Sequence, residues 1–318
     1  MLPLILLLHA LSASAACPVQ LSCSSAASKL DTCCTPSPAG LFVFKQRFEP
    51  DVHNDSGSWG IDGLEVLDCT SQKPAQTVYS PAHTHEEIGS YCHKSSVFGE
   101  KGFYRAEGDW ASSEVGEGVE EVWERTWNTA GRYISTLQDK CVEGNSDENV
   151  PLFFHTLQEL HTLFRPATLL SDADITPSSD TTYSLAELTL ALAFDDYKPV
   201  ISCENTTLSS VLWPLVVKGT FQTGAFSAAP SFSPASNCPV DGIIYPSTTT
   251  TPEPTPVHTW DPVFRPSPRP ITLSHDESKQ YQYDQEETKK LGFFKDSDEG
   301  REGGKEGRRV KQWHRDEL

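Results

Sequence analysis

The sequence of 318 residues contains no apolar run long enough to span a bilayer, and its mean hydropathy is −0.40. This excludes a polytopic membrane protein. Basic residues are scarce, with 25 Lys and Arg against 44 Asp and Glu, which gives a formal net charge of −19. General polyanion binders neutralise phosphates with Lys and Arg, so the charge argues against that class.

The cysteines lack the C-x-x-C spacing of zinc ribbons and thioredoxin-like motifs. Nine cysteines are nevertheless present, and all follow residue 16. They fit a disulfide framework in an oxidising compartment better than a metal site. Because nine is odd, one thiol has no partner within the chain. A hydrophobic content of 37% with 10% aromatic residues is enough to build a packed core.

Both ends of the chain carry sorting-type sequences. Residues 1–16 contain an apolar run from Leu2 to Leu8 followed by small residues, which predicts a secretory signal peptide. The last four residues, Arg-Asp-Glu-Leu ending at Leu318, resemble the K-D-E-L class of endoplasmic reticulum retention signals. We therefore expect a protein of the secretory pathway, in the reticulum lumen or outside the cell. Sequons at Asn54 and Asn205 are expected glycosylation sites.

The composition divides the mature chain into three parts. Residues 17–245 are predicted to form one folded domain, and they hold 13 basic and 30 acidic residues. Residues 246–270 contain 8 prolines and a run of threonines, which indicates an extended linker. Residues 271–318 form a polar, charged tail whose composition predicts disorder.

Both periodicities occur within the folded domain. Leu41–Phe44 and Leu215–Val217 are predicted as short buried strands. Residues 151–164 show helical spacing of apolar side chains, and Ser184 with Glu187 forms a capping box that predicts a helix start. Because strands and helices do not alternate regularly, we predict an α+β fold.

Several segments together resemble the ribonuclease T2 family, and its fungal secreted members in particular. The resemblance implies a central antiparallel sheet flanked by helices and stapled by disulfides. It covers about residues 17–245 and leaves the linker and tail outside. The segments that carry it are CPVQLSCSSAASKLDTCC, GLFVFKQRFEP, Trp59–Cys69, Val122–Tyr133, ITPSSDTTYSLAEL and TLSSVLWPLVVKGTF.

The departures from the family pattern fall on its catalytic positions. Asp62 stands where the first stretch, Trp59–Cys69, has its histidine, and Glu65 stands where that stretch has a tryptophan. In the second stretch, Val122–Tyr133, the family has two histidines, a glutamate and a lysine. Those four positions hold Arg125, Ala130, Thr126 and Thr129, in that order.

These replacements predict that RNA cleavage is lost. The family's histidines activate the 2′-hydroxyl and protonate the leaving oxygen, and the products are 2′,3′-cyclic phosphates. Arg125 stays protonated and Ala130 has no exchangeable proton, so neither replaces a catalytic histidine. Asp62 and Glu65 add negative charge where phosphate must bind. We therefore expect a catalytically inactive member with a binding or regulatory role and with weak or absent RNA binding.

The resemblance also implies a disulfide pairing. It gives Cys17–Cys34, Cys23–Cys69, Cys33–Cys141 and Cys203–Cys238. A further family bridge is absent because one of its cysteine positions is Tyr133 here, and Cys92 is expected to be the thiol left over.

Three alternatives remain open from the sequence. Residual endonuclease activity would have to use Asp62 or the histidines of the segment His83–His85. A reticulum-resident interaction protein would use the free thiol of Cys92, and a Cys92-linked dimer is an alternative to the monomer that we expect.

The cluster of His83, His85, Glu86, Glu87, Cys92 and His93 has ligand-type residues, but its spacing matches no closed metal site, and we expect neither metal nor cofactor. The partner, a protein or a glycan, is not identified by the sequence.

Overall fold

The structure is a computed structural model that describes residues 17–49, 58–98, 107–111, 117–142, 147–230 and 232–247. The predicted signal peptide, Asn54, the linker beyond residue 247 and the tail lie outside the described residues. Among the described residues, no helix has both the length and the apolar character needed to cross a membrane.

The described residues form an α+β fold. Its seven strands are β1 Ala39–Phe48, β2 Trp59–Asp68, β3 Thr182–Tyr183, β4 Val200–Glu204, β5 Thr207–Lys218, β6 Ala225–Ala228 and β7 Ile243–Ile244. Its five α-helices are α1 His85–Lys94, α2 Val119–Thr129, α3 Asn149–Leu163, α4 Pro166–Asp172 and α5 Leu185–Leu192. Short 3₁₀ turns lie at Ala27–Lys29, Glu107–Asp109, Gly131–Tyr133, Ser135–Leu137 and Asp139–Cys141.

The strands form one sheet built around β5. Strand β1 pairs antiparallel with β2 on one edge and with β5 on the other, and β4 and β6 also pair antiparallel with β5. The short strand β7 joins β5 through one parallel pair and pairs antiparallel with β3. The predicted central antiparallel sheet is therefore confirmed, with β1 and β5 at its centre.

The two faces of β1 bury different amounts of apolar surface. Phe42, Phe44 and Phe48 face the main core, where Trp59, Trp127, Trp213, Phe153, Phe154 and Phe164 are buried from α2, α3 and the neighbouring strands. Burying aromatic side chains of this size dominates the energetics of a core. The opposite face carries a small cluster of Leu41, Val43, Leu67 and Val216.

Two of the helices, α1 and α5, begin at a capping box. Ser184 accepts the backbone N–H of Glu187, and the Glu187 carboxylate accepts the N–H of Ser184, so the predicted helix begins at Leu185. Thr84 and Glu87 make the same reciprocal pair at the start of α1. The T-x-x-E spacing of this segment is the same capping signal, and it starts a helix within the cluster of ligand-type residues.

Four disulfides cross-link the described residues. They are Cys17–Cys34, Cys23–Cys69, Cys33–Cys141 and Cys203–Cys238, the pairs that the family resemblance implies. Cys92 is the free cysteine, and it is buried. The sequon asparagine Asn205 lies exposed in the tight turn between β4 and β5 with φ +57°, an accessible position for a glycan.

A buried polar network crosses the core beside β1. The Gln46 side chain donates to His161 Nδ1 at 2.8 Å and to the Phe164 carbonyl at 2.9 Å, and it accepts from Trp213 Nε1 at 2.8 Å. Burial lowers the pKa of His161 to about 4. Nδ1 must stay unprotonated to accept from Gln46, so the neutral ring is the form that the fold stabilises.

His161 predicts a pH dependence of stability in the acid range. The pKa of this histidine in the unfolded chain is about 6.5, so between pH 6.5 and pH 4 the unfolded state binds a proton and the folded state does not. The contribution of neutral His161 to the free energy of unfolding is therefore fully present above pH 6.5. It is lost as the pH drops towards 4, and the free energy of unfolding falls by up to about 3 kcal/mol. His161→Asn keeps the acceptor, and it is expected to flatten this part of the urea-unfolding profile. His155→Asn, the same change at a half-buried histidine of the same helix, is the control for the substitution itself.

Candidate active site

A bulge in β2 positions Asp62. Lys45 of β1 lies opposite Gly63 and Gln46 lies opposite Ile61, so Asp62 is the extra residue between the two pairs. Bulges of this kind redirect a side chain and often lie beside functional sites. Gly63 adopts φ +135°, and a Cβ there would lie 3.2 Å from Thr126 Oγ1 of α2. Glycine at this position therefore permits both the backbone conformation and the close approach of α2.

Asp62 lies between two cations and is only 3% exposed. Arg125 of α2 donates from Nη1 to the Asp62 carbonyl at 3.3 Å and approaches the carboxylate from Nη2 at 3.5 Å. Lys45 Nζ lies 3.8 Å from the same carboxylate and 3.7 Å from Glu65. Glu117, just before α2, completes the group, because its two carboxylate oxygens accept from Arg125 Nε at 2.9 Å and Nη2 at 3.2 Å.

The other replaced positions have no exposed acid or base. Thr126 is 1% exposed, and its hydroxyl finds no hydrogen-bond partner among the described residues. The Thr129 hydroxyl donates to the Arg125 carbonyl at 2.7 Å, one turn back in the helix. Ala130 is fully buried at the end of α2. Gly131 follows it, and a Cβ there would meet the Trp127 ring at 2.3 Å, so the chain turns tightly against this tryptophan.

The structure brings these residues together as an ion-paired group, which we call the Asp62–Arg125 network: Lys45, Asp62, Glu65, Glu117 and Arg125. It contains three carboxylates and two cations. General acid–base cleavage needs one group that accepts a proton and a second that donates one near working pH. The network offers carboxylates paired with cations, and it holds no imidazole.

His83 and His85 lie on a different side of α2. His85 Nδ1 is 3.2 Å from Glu124, and its Nε2 is 3.7 Å from Glu120. Successive residues of a helix are separated by about 100°, so a side chain that faces Glu120 and Glu124 is turned about 100° or more from Arg125. His85 therefore faces away from the Asp62–Arg125 network.

His83 has a structural role beside α2. Its N–H donates to Asn128 Oδ1 at 3.1 Å, and its carbonyl accepts from Asn128 Nδ2 at 2.9 Å. Its ring packs on Trp127 with the centroids 5.7 Å apart, and Tyr91 contacts it edge-on at 5.1 Å. These contacts hold the segment before α1 against α2.

The acidic surroundings of His85 change its titration. Desolvation opposes the charged ring, but the hydrogen bond with Glu124 and the charges of Glu86 and Glu120 outweigh this effect, so the pKa of His85 is raised. Within the described part of the chain, no group of three or more His, Cys, Asp or Glu side chains is arranged to hold a metal ion.

Cys92 lies on the buried face of α1 with no exposed surface. Burial, with a smaller effect from the charge of Glu148, raises the pKa of its thiol well above the usual range. The thiolate is the reactive form of cysteine, so a protonated thiol inside the core is unsuited to capturing a partner.

The segment that lies against the turn at Arg132 is not the one that holds Cys92. The N–H groups of Tyr79 and Ser80 donate to the Arg132 carbonyl at 2.9 and 3.3 Å. Cys92 is the free thiol, as the family resemblance implies, and it lies in the core.

The burial of Cys92 predicts slow thiol labelling. A maleimide or a disulfide reagent should react with the native protein at least about 100-fold more slowly than with the urea-unfolded protein, because reaction requires opening of the core. One thiol per chain should appear after unfolding. Rapid labelling of the native protein, or a dimer on a non-reducing gel that Cys92→Ala removes, would show that the thiol is accessible.

Two members of the network were missed by sequence reasoning. Lys45 lies on the face of β1 that also carries the apolar residues Leu41 and Val43. A charged residue in this alternation indicates that the face is no longer in contact with apolar side chains at position 45. Glu117 precedes α2 in a segment rich in acidic residues. Its pairing with Arg125 spans eight residues from outside the helix, a spacing that no helical pattern indicates.

The fold agrees with that of a solved T2 ribonuclease. The crystal structure of Actibind, a T2 ribonuclease, superposes with a TM-score of 0.62 at 30% identity. The superposition covers 73% of this chain and 97% of that one. The sheet, helices and disulfides of the described residues therefore form a T2 ribonuclease fold.

The sequence comparisons give the family. The sequence profile of the Ribonuclease T2 family matches residues 29–226, and this chain belongs to that family. It is 31% identical over 229 residues to Ribonuclease M of Aspergillus phoenicis, covering 68% of this chain and 90% of the relative. It is 30% identical over 236 residues to Ribonuclease Trv of Hypocrea rufa, covering 72% of this chain and 97% of the relative.

Proposed function

We propose that this protein is a ribonuclease T2 family member that no longer cleaves RNA and acts by binding. The observation that carries the proposal is the Asp62–Arg125 ion pair at two positions where the family has histidines. Arg125 retains its proton and is engaged by Glu117 and Asp62. The site has become a structural contact between β2 and α2.

The expected loss of rate is large. Removing one proton-transfer group costs about 10²–10⁴-fold, and loss of charge stabilisation at the reacting phosphate costs about 10²–10³-fold more. The carboxylates of Asp62, Glu65 and Glu117 also repel a polyanion approaching the network. Together these effects bring T2-type cleavage close to the uncatalysed rate.

Residual endonuclease activity is the competing function, and the relatives named as ribonucleases favour it. It would form 2′,3′-cyclic phosphates with Asp62 or His85 as the base. Asp62 is buried and paired with cations, and His85 faces a different side of α2, so the contacts disfavour both. If this alternative holds, Asp62→Ala or His85→Ala abolishes cleavage that the wild-type protein shows.

A place in the secretory pathway is supported by the four disulfides, which persist in oxidising compartments. Retention by the sequence Arg-Asp-Glu-Leu stays a prediction, tested by comparing the distribution of the full chain with that of a chain lacking these four residues.

An interaction function that uses Cys92 is disfavoured by the burial of the thiol. The partner is therefore expected to bind a surface, as a protein or a glycan.

A revertant tests whether the chemistry alone was lost. Restoring the family residues with Asp62→His, Arg125→His, Thr126→Glu, Thr129→Lys and Ala130→His should raise the rate of RNA cleavage by about 10²-fold or more over the wild-type protein. A control that carries only Thr129→Lys and Ala130→His should gain nothing, because Arg125 and Asp62 remain paired. A folded revertant without activity would show that the surrounding scaffold has also diverged.

A further inference from the structure

Arg125 presents its guanidinium in the geometry that binds oxyanions. Nε and Nη2 donate in parallel to the two oxygens of one carboxylate, with N–O distances of 2.9 and 3.2 Å. The same planar fork binds the oxygens of a phosphate group in a bidentate manner. The side chain is 29% exposed, so the fork lies at the edge of the solvent rather than in the core.

The carboxylate in this fork comes from the chain itself. Glu117 lies just before α2, and its side chain is only 10% exposed. Asp62 contacts Arg125 through Nη1 and Nη2 at the longer distances of 3.3 and 3.5 Å. The Nε side of the guanidinium is therefore occupied by Glu117, and the other side is held by Asp62.

A second cation lies across Asp62 from the fork. Lys45 Nζ is 3.8 Å from Asp62 and 3.7 Å from Glu65, distances that exceed those of a strong hydrogen bond. Without Glu117 the network would contain two cations and two carboxylates and would be neutral. With Glu117 in place the network has a net charge of −1.

We propose that Glu117 is an internal anion that fills a phosphate-type site on Arg125 and keeps this site closed to phosphate groups. The inference rests on the proposed loss of catalysis at this centre and goes beyond it. It assigns a ligand class, a phosphate group, and it names the residue that excludes this ligand. Removal of the Glu117 charge opens the fork, with Asp62 left in place to hold the guanidinium.

The test uses the mature protein with inorganic phosphate as the probe. Phosphate is titrated at pH 7 and low ionic strength, and binding is followed by calorimetry and by the NMR signal of the Arg125 Nε–H group. That signal is assigned as the one lost in Arg125→Met. We expect Glu117→Gln to bind phosphate at least about tenfold more tightly than the wild-type protein, because a competing bidentate anion is gone. Adding Arg125→Met to Glu117→Gln should remove the gain.

Glu65→Gln is the matched control. It removes the same charge from the network but leaves the pair between Glu117 and Arg125 intact. The loss of repulsion alone should therefore raise the affinity for phosphate by no more than about twofold. An equal gain in Glu65→Gln would show that net charge alone decides binding, and it would overturn the proposal. The proposal also fails if folded Glu117→Gln binds phosphate no better than the wild-type protein.

A measurement on the wild-type protein covers the case in which Glu117→Gln does not fold. The Arg125 Nε–H signal should exchange slowly with solvent and stay unshifted as phosphate is added, since Glu117 holds that hydrogen. A signal that moves with phosphate would contradict the closed site. This outcome differs from failure of the proposed function, which would appear as RNA cleavage by the wild-type protein.

Discussion

Arg125→Met is expected to lower the free energy of unfolding by about 2 kcal/mol, because it leaves the buried Asp62 with Lys45 as the one cation that the described residues place beside it. The substitution also removes the guanidinium hydrogen bond to the Asp62 carbonyl and both contacts with Glu117. Methionine keeps much of the aliphatic volume, so the loss reports the charge and its hydrogen bonds. Urea unfolding of the mature protein, monitored by far-UV circular dichroism, measures it.

The same substitution on β1 provides the control. Arg47 pairs with Glu204, whose side chain is 64% exposed, so Arg47→Met should cost less than about 1 kcal/mol. Residues that are retained for catalysis commonly leave the free energy of unfolding unchanged or lower it. A stabilising or neutral Arg125→Met would therefore contradict the structural role of the network.

Removal of Cys33–Cys141 is expected to be the most destabilising change to the covalent framework. This bridge closes a loop with a sequence separation of 108 and joins the N-terminal segment to the turns after α2. A loop of that length is expected to contribute about 4.7 kcal/mol by restricting the unfolded chain. The double substitution Cys33→Ser and Cys141→Ser should lower the free energy of unfolding by about that amount in urea.

The bridge Cys17–Cys34 is the comparison, because it closes a separation of only 17. Its removal by Cys17→Ser and Cys34→Ser should cost about 3 kcal/mol. The order of the two losses is the critical result. An equal or larger loss from the shorter loop would show that local packing of the N-terminal segment, rather than loop length, determines the contribution of these disulfides.

Much of the fold follows from local patterns in the sequence. The strand predicted at Leu41–Phe44 is the apolar centre of β1, and the structure extends it to Ala39–Phe48. The extension was missed because it contains Lys45, Gln46 and Arg47. Gln46 faces the core, where His161 and Trp213 satisfy it, and these partners are more than 100 residues away in sequence. No local pattern reports such a partner.

The helices show the same division between local and distant signals. The helix predicted over residues 151–164 is present as Asn149–Leu163, and the capping box at Ser184 marks the start of α5. The family resemblance located Asp62 and Arg125, but not what pairs with them. Lys45 and Glu117 join the site only because β1 lies beside β2 and because the chain before α2 returns towards Arg125.

The rate of RNA cleavage by the mature wild-type protein tests the central claim most directly. It is measured across pH 4–8 beside Ribonuclease M of Aspergillus phoenicis, at equal enzyme concentration and with the same RNA. Loss of both proton-transfer groups predicts a rate at least about 10⁴-fold below that of the relative at every pH. A rate within about tenfold of the relative, retained when Arg125 is replaced by alanine, would contradict the claim.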